Sequence, residues 1–359
     1  MTNHVLVIYN PTVKSQTQTE EWMGQLIQAL NETGQYLVSF FPTSADTEAH
    51  HLIPLLRPPL DLVIAAGGDG TIRFALAALA QAKSPIPLAV FPLGTGNVLA
   101  RNLGVVEEKL FANPLEHAYE YVSKGTPMPL DLGMMNGEYF GGMAGVGPLS
   151  DAFMTPRREE KTSSKLIAYM KALLLTIAMR PRVFKITTGG KTFKVQASGI
   201  FISNVEDLGI GRSSDLNKLN DGYLDLHIIN PVTLSDYIAL TKRYAEGVMG
   251  RNLSDNVIRV KEAVVEVVPR QGVRSGFQDA VNMIARTFLG HKIEEPSRSD
   301  KMRCMIDGDE YGCTPMRVTV VHQAVNVLIP PSRKAAIKPR ATIPFPQHRV
   351  APRAKAVGE

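Results

Sequence analysis

The chain has 359 residues, of which 44% are hydrophobic, and its net charge is +5. This length exceeds one ordinary core and predicts two domains, while the hydrophobic content excludes wholesale disorder. Two cysteines are too few for a disulfide framework or a zinc site with paired spacing, and they indicate a reducing cytoplasm. The segment from Pro331 to Glu359 carries a charge of +6, so the remainder is at −1. We interpret residues 333–359 as a basic, disordered, solubilising tail and expect no nucleic-acid partner; the alternative is a weak electrostatic tether to anionic lipid or nucleic acid.

Neither end of the chain nor its interior predicts a membrane span. The N-terminal stretch "MTNHVLVIYNP" lacks the basic and apolar regions of a signal peptide. The longest apolar stretch elsewhere, residues 166–179, contains Lys171 and is shorter than the about 20 residues that a spanning helix needs. We therefore predict a cytoplasmic protein without a transmembrane segment.

Strands and helices alternate over the first 104 residues. Continuous apolar runs, typical of strands buried in a parallel sheet, occur at 4–10, 36–41, 60–66 and 86–94. Helical patterns follow these runs at 17–34, 45–57 (broken by Pro54), 71–82 and 97–104. In the first helix, Thr17 and Glu20 fit a capping box, and Trp22, Leu26, Ile27 and Leu30 share one face. The alternation predicts a Rossmann-like α/β domain with helices on both faces of a parallel sheet.

The pattern changes after residues 123–133. Short runs of alternating hydrophobicity follow, and the pair Gly189–Gly190 in "TTGGKT" predicts a hairpin turn. Helical stretches interrupt these runs at 163–180, 234–247 and 278–290. This half therefore predicts an antiparallel β domain with inserted helices.

Two glycine-rich loops follow neighbouring predicted strands. "GGDGT" (67–71) and "PLGTGN" (92–97) each open a helix, whose N-terminal N–H groups can bind phosphate. Both loops, together with "YNPT" (9–12), fall at the carboxyl edge of the sheet, where α/β sheets bind ligands. The alternative for "GGDGT" is a tight turn in which Asp69 caps the helix.

These motifs carry a family resemblance. "NPT", "AAGGDGTI", "FPLGTGN", "DLG", "GVG" and "DGYLDL", in this order, resemble the diacylglycerol kinase catalytic-domain family, which includes sphingosine and ceramide kinases. The resemblance implies an ATP-binding α/β domain at residues 1–126, completed by a return segment at about 322–332. It also implies a β-sandwich at 127–321 that receives a lipid substrate at the membrane surface. A homodimer is compatible with the resemblance.

The resemblance implies ATP and Mg²⁺ as cofactors and suggests which residues bind them. The nucleotide would contact Asn10, Thr43, Gly67, Gly68, Asp69, Gly70, Thr71, Gly94, Thr95, Gly96 and Asn97. Asp69 would also act at the reacting phosphate and on its Mg²⁺. Asp221 would lie near a second, structural Mg²⁺, although Asp-Gly between apolar runs is also a hairpin signal.

The catalytic base of the family is a carboxylate in an Asp-Gly-Glu motif. The corresponding stretch here is "MIDGDEYG", in which Asp309 takes the Glu position and Glu310 comes next. Such a base removes the proton of the attacking hydroxyl. Because Asp is one CH₂ shorter than Glu, the sequence leaves both Asp309 and Glu310 as candidates, and "DGDE" also fits a polar turn.

Other residues depart from the family pattern. Arg73 and Phe74 stand where the family has an Asn-Glu pair, and Val98 stands where many members have Asp. The apolar helix predicted around 165–179 fits either a core helix or a wall for a lipid tail, with Lys161, Lys165 and Lys171 toward headgroups. An ATP-dependent lipid kinase is the leading hypothesis. The alternatives are an NAD kinase-like enzyme with a soluble substrate and a nucleotide- or lipid-binding pseudokinase.

Overall fold

The structure is a computed structural model that describes most of both halves of the chain. The described residues are 2–12, 16–32, 34–44, 46–94, 96–106, 119, 121–122, 124–154, 181–206, 215–230, 257–269 and 301–336. Thr95, the three helices predicted after residue 160, the three lysines assigned to lipid headgroups and tail residues 337–359 lie outside them.

The first half alternates strands and helices as predicted. Its strands are β1 (Asn3–Tyr9), β2 (Tyr36–Pro42), β3 (Leu60–Gly67) and β4 (Leu88–Pro92). Its helices are α1 (Gln16–Asn31), α2 (Ala49–Leu52), α3 (Asp69–Ala82) and α4 (Val98–Leu103). A 3-10 turn, Ile53–Leu55, ends α2 at Pro54, where the ring cannot continue an α-helix.

The second half is mostly strand. Its strands are β5 (Thr126–Met135), β6 (Glu138–Phe140), β7 (Met143–Val146), β8 (Arg182–Thr188), β9 (Lys191–Ala197), β10 (Gly199–Ser203), β11 (Leu224–Ile229), β12 (Val257–Val260), β13 (Glu262–Val267), β14 (Arg303–Ile306), β15 (Asp309–Cys313) and β16 (Met316–Ile329). Helix α5 (Pro148–Phe153) and a 3-10 turn (Leu216–Asn220) join them. Gly189 and Gly190 form the predicted hairpin turn between β8 and β9, both with positive φ.

The first sheet carries the two glycine-rich loops. Its order is β2-β1-β3-β4-β16-β13-β8-β9, with β5 and β6 attached to β16. Strands β1 to β4 are parallel, and residues such as Ile8, Ile64 and Val90 are fully buried. The buried runs within β1, β3 and β4 explain why these strands appear as unbroken apolar segments. Strand β2, at the edge of the sheet, is partly exposed along its length. The loops after β3 and β4 therefore meet at one edge.

The register of α1 differs in detail from the sequence prediction. Trp22, Leu26 and Leu30 are buried as expected, but the side chain of Ile27 is 36% exposed. The buried residues follow an i, i+4 line, and Ile27 falls one position beside it. Thr17 cannot be the N-cap of a capping box because the helix already includes Gln16.

Strand β16 links the two halves. Near Met316 it pairs with β13, and farther on Val327 pairs with Leu88 of β4. Between these segments the register against β5 shifts, and Gln323 has a φ of 50°. The bend therefore sends one strand from the β-rich half into the sheet of the α/β half.

The second sheet faces part of the first and completes a sandwich. Its order is β12-β11-β10-β7-β14-β15. Side chains from both sheets, including Val146, Ile200, Phe184 and Val265, form a second buried core. The α/β-plus-antiparallel architecture expected from the sequence is thus present.

The beginning of the predicted tail is structured. Pro331–Ala336 form a 3-10 turn, and Arg333 N donates to Pro330 O at 2.9 Å. A Cβ placed on Gly104 would lie 3.2 Å from the Arg333 side chain, so this turn packs close to the end of α4. Across the ranges given above, none of the helices has the length and apolarity needed to cross a bilayer.

Candidate functional site

The two glycine-rich loops pack directly on each other. The backbone N–H groups of Leu93 and Gly94 donate to Gly67 O at 3.0 and 3.2 Å. A Cβ on Gly94 would lie 2.5 Å from Gly68 Cα, a separation that real Cβ atoms do not adopt. These glycines therefore have a structural role, loop-to-loop contact, beside the ligand approach that the sequence suggested.

Asp69 joins the same two loops. It is the first residue of α3 rather than its cap, and its Oδ1 accepts a hydrogen bond from Val98 N at 2.7 Å. A Cβ on Gly96 would lie 2.2 Å from Asp69 Oδ2, so the second loop also needs glycine there. Burial raises the pKa of Asp69 above its usual value, while the bond from Val98 and the charge of Arg101 oppose that rise. A buried carboxylate of this kind attracts a cation.

Asn97 is the last residue of the second glycine-rich loop, and its side chain carries both a donor, Nδ2, and an acceptor, Oδ1. It has a φ of 51° at the start of α4, and its Nδ2 donates to Gly94 O at 2.8 Å. Its Oδ1 is buried and has no hydrogen-bond partner among the residues that the structure describes. Buried polar atoms are normally paired, so this oxygen indicates a missing ligand, ion or water.

A cavity of about 540 Å³ adjoins the first loop. Four predicted nucleotide-binding residues line it: Asn10, Thr43, Gly70 and Thr71. The rest of the lining comes from the loop before α2 and from α2, α3, β6 and β15, through residues that include Glu48, Arg73, Tyr139 and Tyr311. Its volume falls within the ~300–1,000 Å³ of small-molecule sites.

Hydrogen bonds at the sheet edge hold the rim of this cavity. Thr43 N donates to Tyr9 O at 2.7 Å, which ties the end of β2 to the end of β1. Asn10 Oδ1 accepts from both Thr12 N and Thr12 Oγ1, at 2.9 and 2.8 Å. The oxygen of Asn10 is thus engaged locally.

The two candidate bases point to opposite sides of β15. Asp309 Oδ2 lies 3.2 Å from Arg73 Nη2, and a Cβ on Gly70 would be 3.7 Å from the same oxygen. Glu310 Oε2 instead lies 3.0 Å from Arg303 Nη1. Adjacent residues of a strand alternate between its faces, so Asp309 faces the first glycine-rich loop and Glu310 does not.

Asp307 is a site residue that sequence reasoning missed. It lies at the turn between β14 and β15 with a φ of 49°, and its carboxylate accepts backbone hydrogen bonds from Gly141, Gly142 and Met143 at 3.2, 2.9 and 2.8 Å. Burial, and to a smaller extent the charge of Asp69, raise the pKa of Asp307 to about 6. Asp307 is the first residue of "DGDE", which fits a polar turn. Because turn residues are usually exposed, the sequence gave no indication that Asp307 is buried.

Asp131 of the "DLG" motif is a second missed residue. Its side chain is fully buried, and Oδ1 accepts from His322 Nδ1 and Gln323 N, both at 2.7 Å. Its Oδ2 accepts from Gly222 N at 2.6 Å. Asp131 therefore holds the bend of β16 against the segment that contains Asp221.

Asp221 is already paired with a cation from the protein. Its Oδ2 accepts a hydrogen bond from Arg259 Nη2, and the Arg259 guanidinium lies 4.4 Å from the centroid of the Tyr223 ring. Burial raises the pKa of Asp221 to about 6, against the opposing charge of Arg259. Arg259 thus supplies the positive charge that the resemblance attributes to a structural Mg²⁺. In the described ranges, no three His, Cys, Asp or Glu side chains are arranged to hold a metal.

Comparison with known proteins agrees with this geometry. The family model "Diacylglycerol kinase catalytic domain" matches residues 4–135, which include both glycine-rich loops. The chain is 26% identical over 327 residues to a diacylglycerol kinase of Bacillus subtilis (strain 168), covering 90% of this chain and 95% of that protein. It is 27% identical over 242 residues to a diacylglycerol kinase of Staphylococcus aureus (strain JH9), covering 66% and 73%.

Solved structures show the same fold. A diacylglycerol kinase structure from Bacillus anthracis str. Sterne matches with a TM-score of 0.61 and 17% identity over 92% of this chain and 98% of that one. A second chain from that strain, provisionally assigned to the same activity, matches with a TM-score of 0.66 and 20% identity, covering 92% and 96%. Residues 4–135 therefore match the catalytic-domain model of the diacylglycerol kinase family, and 90% of the chain is similar to a diacylglycerol kinase.

Proposed function

We propose that this kinase transfers the γ-phosphoryl group of ATP to the hydroxyl of a lipid such as diacylglycerol. The observation that carries the proposal is the position of Asp309. A strand of the second sheet brings this carboxylate to the first glycine-rich loop, 3.7 Å from the Cβ position of Gly70. A phosphate-binding loop and a carboxylate base facing each other are the two parts that phosphoryl transfer to an alcohol requires.

We place the nucleotide in the cavity beside Asn10, Thr43, Gly70 and Thr71. Its phosphates would reach the N-terminus of α3, where backbone N–H groups and the helix dipole favour negative charge. The second loop, with the open Oδ1 of Asn97, would border the same phosphates. Thr95 belongs to this loop and remains part of the proposal.

The buried carboxylate of Asp69 fits a magnesium ion held jointly with phosphate oxygens. Mg²⁺ is commonly bound by one or two carboxylates plus substrate phosphates, so a protein cage is not needed. When bound, the ion would neutralise charge on the transferring phosphoryl group. Burial raises the pKa of both Asp69 and Asp307, and the charge of Asp69 also raises that of Asp307, so a cation bound here would be favourable.

In the chemical step, Asp309 acts as the general base. The acceptor hydroxyl oxygen forms a bond to the γ-phosphorus, the bond from that phosphorus to the bridging oxygen of ADP breaks, and the hydroxyl proton moves to Asp309. Glu310, which pairs with Arg303 on the other face of β15, would have no part in this step. Asp309 thus takes the role for which the sequence left two candidates.

We further propose that residues 127–321 receive the lipid and that residues 1–126, with the return segment at about 322–332, hold ATP. The kinase would work in the cytoplasm and contact the membrane surface. We place a diacylglycerol, or another lipid that presents a hydroxyl beside apolar tails, at the side of the cavity formed by β6 and β15.

A nucleotide-binding protein without turnover is the second candidate. It is favoured by the Arg73–Asp309 ion pair, which engages the proposed base, and by Phe74 in the place of an acidic residue. An NAD kinase-like activity differs from both because its substrate is soluble.

Incubation with labelled ATP, Mg²⁺ and a mixed lipid extract distinguishes these functions. Label in the lipid phase supports a lipid kinase, and Asp69→Ala should abolish it. Nucleotide binding without label transfer would support the second candidate. Label on added NAD, with none in lipid, would overturn the lipid assignment.

A further inference from the structure

Arg73 is placed to contact both the proposed base and the nucleotide. It lies on α3 four residues after Asp69, and its side chain lines the 540 Å³ cavity beside Gly70 and Thr71. Its Nη2 meets Asp309 Oδ2 at 3.2 Å across 236 positions of sequence. One guanidinium therefore stands between the candidate nucleotide site and the candidate base.

The two partners of this ion pair are held very differently. The side chain of Arg73 is 22% exposed, whereas that of Asp309 is 62% exposed. The buried Nε of Arg73 has no hydrogen-bond partner within the part of the chain that the structure describes. Arg73 is thus the fixed member, with donors to spare, and Asp309 is the member that can move.

A triphosphate would compete with Asp309 for this guanidinium. Arginine presents five N–H donors in a planar fork that matches phosphate oxygens. Phosphate contacts by such a fork are frequently bidentate and charge-assisted, while an ion pair with an exposed carboxylate contributes at most about 1 kcal/mol. An incoming phosphate should therefore displace Asp309 from Arg73.

We propose that Arg73 is a catalytic residue that binds the γ-phosphate of ATP and, in doing so, releases Asp309. This inference rests on the proposed kinase function. Without nucleotide, Arg73 holds the carboxylate beside the loop. With ATP bound, the guanidinium binds the phosphate instead, and Asp309 moves away and becomes available to the acceptor hydroxyl. The base is thereby available only when there is a phosphoryl group to transfer.

The proposal makes opposite predictions for the two partners. Arg73→Met should weaken ATP binding about ten- to hundredfold, the value of hydrogen bonds to a charged group, and weaken ADP binding much less. Asp309→Asn removes the competitor and should tighten ATP binding about two- to fivefold while lowering kcat by about a hundredfold or more. Asp309→Asn in the Arg73→Met background should produce no such tightening.

Arg303→Met is the matched control because Arg303 forms the corresponding ion pair with Glu310 on the other face of β15. Its ratio of ATP to ADP affinity should equal that of the unaltered protein. Affinities are measured by calorimetry on the full chain with Mg²⁺ and without lipid. Circular dichroism confirms that each variant is folded.

Two outcomes would overturn the proposal. Equal losses of ATP and ADP affinity in Arg73→Met would show a structural ion pair rather than a γ-phosphate contact. Unchanged or weaker ATP binding in Asp309→Asn would show that the carboxylate does not compete for Arg73. Both tests are independent of lipid phosphorylation: a chain that discriminates ATP from ADP through Arg73 yet labels no lipid would refute the proposed function and retain the phosphate contact.

Discussion

The carboxylate of Asp69 accepts a hydrogen bond from Val98 N at 2.7 Å, and this contact joins the starts of two helices. Asp69 begins α3 and Val98 begins α4. One side chain thereby fixes the relative position of the two loops that we assign to the nucleotide. Substitutions that disturb this contact should affect both loops together.

Gly96→Ala should disrupt the loop pair. The new Cβ would lie 2.2 Å from Asp69 Oδ2, so the loop must move or the carboxylate must leave Val98. We expect nucleotide affinity to fall at least about tenfold, because the loss of one hydrogen bond to a charged group has that size. Calorimetric titration with ATP measures it.

Gly24→Ala is the control for that experiment. Gly24 lies in the middle of α1, and a Cβ there meets nothing within 4 Å. Replacing it should stabilise the protein by about 0.5–1 kcal/mol and leave nucleotide affinity unchanged. Urea unfolding measures the stability. Normal ATP binding by Gly96→Ala would show that the loop contact has no bearing on the site.

Asp309→Asn should lower kcat by about a hundredfold or more, because general base catalysis contributes that much. Glu310→Gln should retain most activity, since Glu310 faces Arg303. Initial rates of lipid labelling at saturating ATP measure both effects. The reverse ranking of the two variants would transfer the role of base to Glu310.

Removal of Mg²⁺ should leave the melting temperature unchanged when nucleotide is absent. Asp221 already pairs with Arg259, and a ligand stabilises a fold only where it binds. Scanning calorimetry with EDTA and with excess Mg²⁺ measures the difference. A melting temperature that rises with Mg²⁺, and that no longer does so in Asp221→Asn, would support the structural Mg²⁺ site predicted at Asp221.

His227 should make the protein less stable in acid. Burial lowers its pKa to about 4, with a smaller contribution from the charge of Lys218, and its Nε2 lies 3.0 Å from Ser203 Oγ. Below the usual histidine pKa of about 6.5 the unfolded chain takes up a proton that the folded chain refuses. Stability is therefore present above that pH and is lost as pH falls toward 4, by about 3 kcal/mol in all.

His227→Gln isolates this effect. Between pH 7.5 and 4.5, its free energy of unfolding should fall by about 2 to 3 kcal/mol less than that of the unaltered protein. The raised pKa of Asp307 acts in the opposite direction, since its protonation at low pH favours the folded state, but it cancels in the comparison. If the free energies of unfolding of the two proteins depend on pH in the same way, His227 is not the source of the instability in acid.

The α/β half could be read from the sequence because its signals are local. Strands buried on both faces appear as unbroken apolar runs, and β1 to β4 begin and end within a few residues of the predicted bounds. The family resemblance implied that the chain returns to the first half at about 322–332, but the pattern of "MRVTVV" alone gives no indication that one strand bends at Gln323 and continues to β4. Distant pairing decides that outcome.

The candidate site, like the fold, could be predicted from the sequence only in part. The loops around Asp69 and Asn97 are contiguous in sequence, so their residues could be named in advance. The choice between Asp309 and Glu310 depends on which face of β15 meets α3, and that register follows from tertiary packing. Arg73 could be recognised as unusual, but its partner lies 236 positions away.

The pairing of Val327 with Leu88 has a consequence for synthesis of the chain. Folding on the ribosome generally proceeds from the N-terminus, domain by domain. Here the sheet that supports the glycine-rich loops is completed by β16, whose residues follow β4 by more than 200 positions. The edge of β4 that pairs with β16 therefore stays unpaired until β16 has been translated, and an unpaired strand edge is open to chaperones and to other nascent chains.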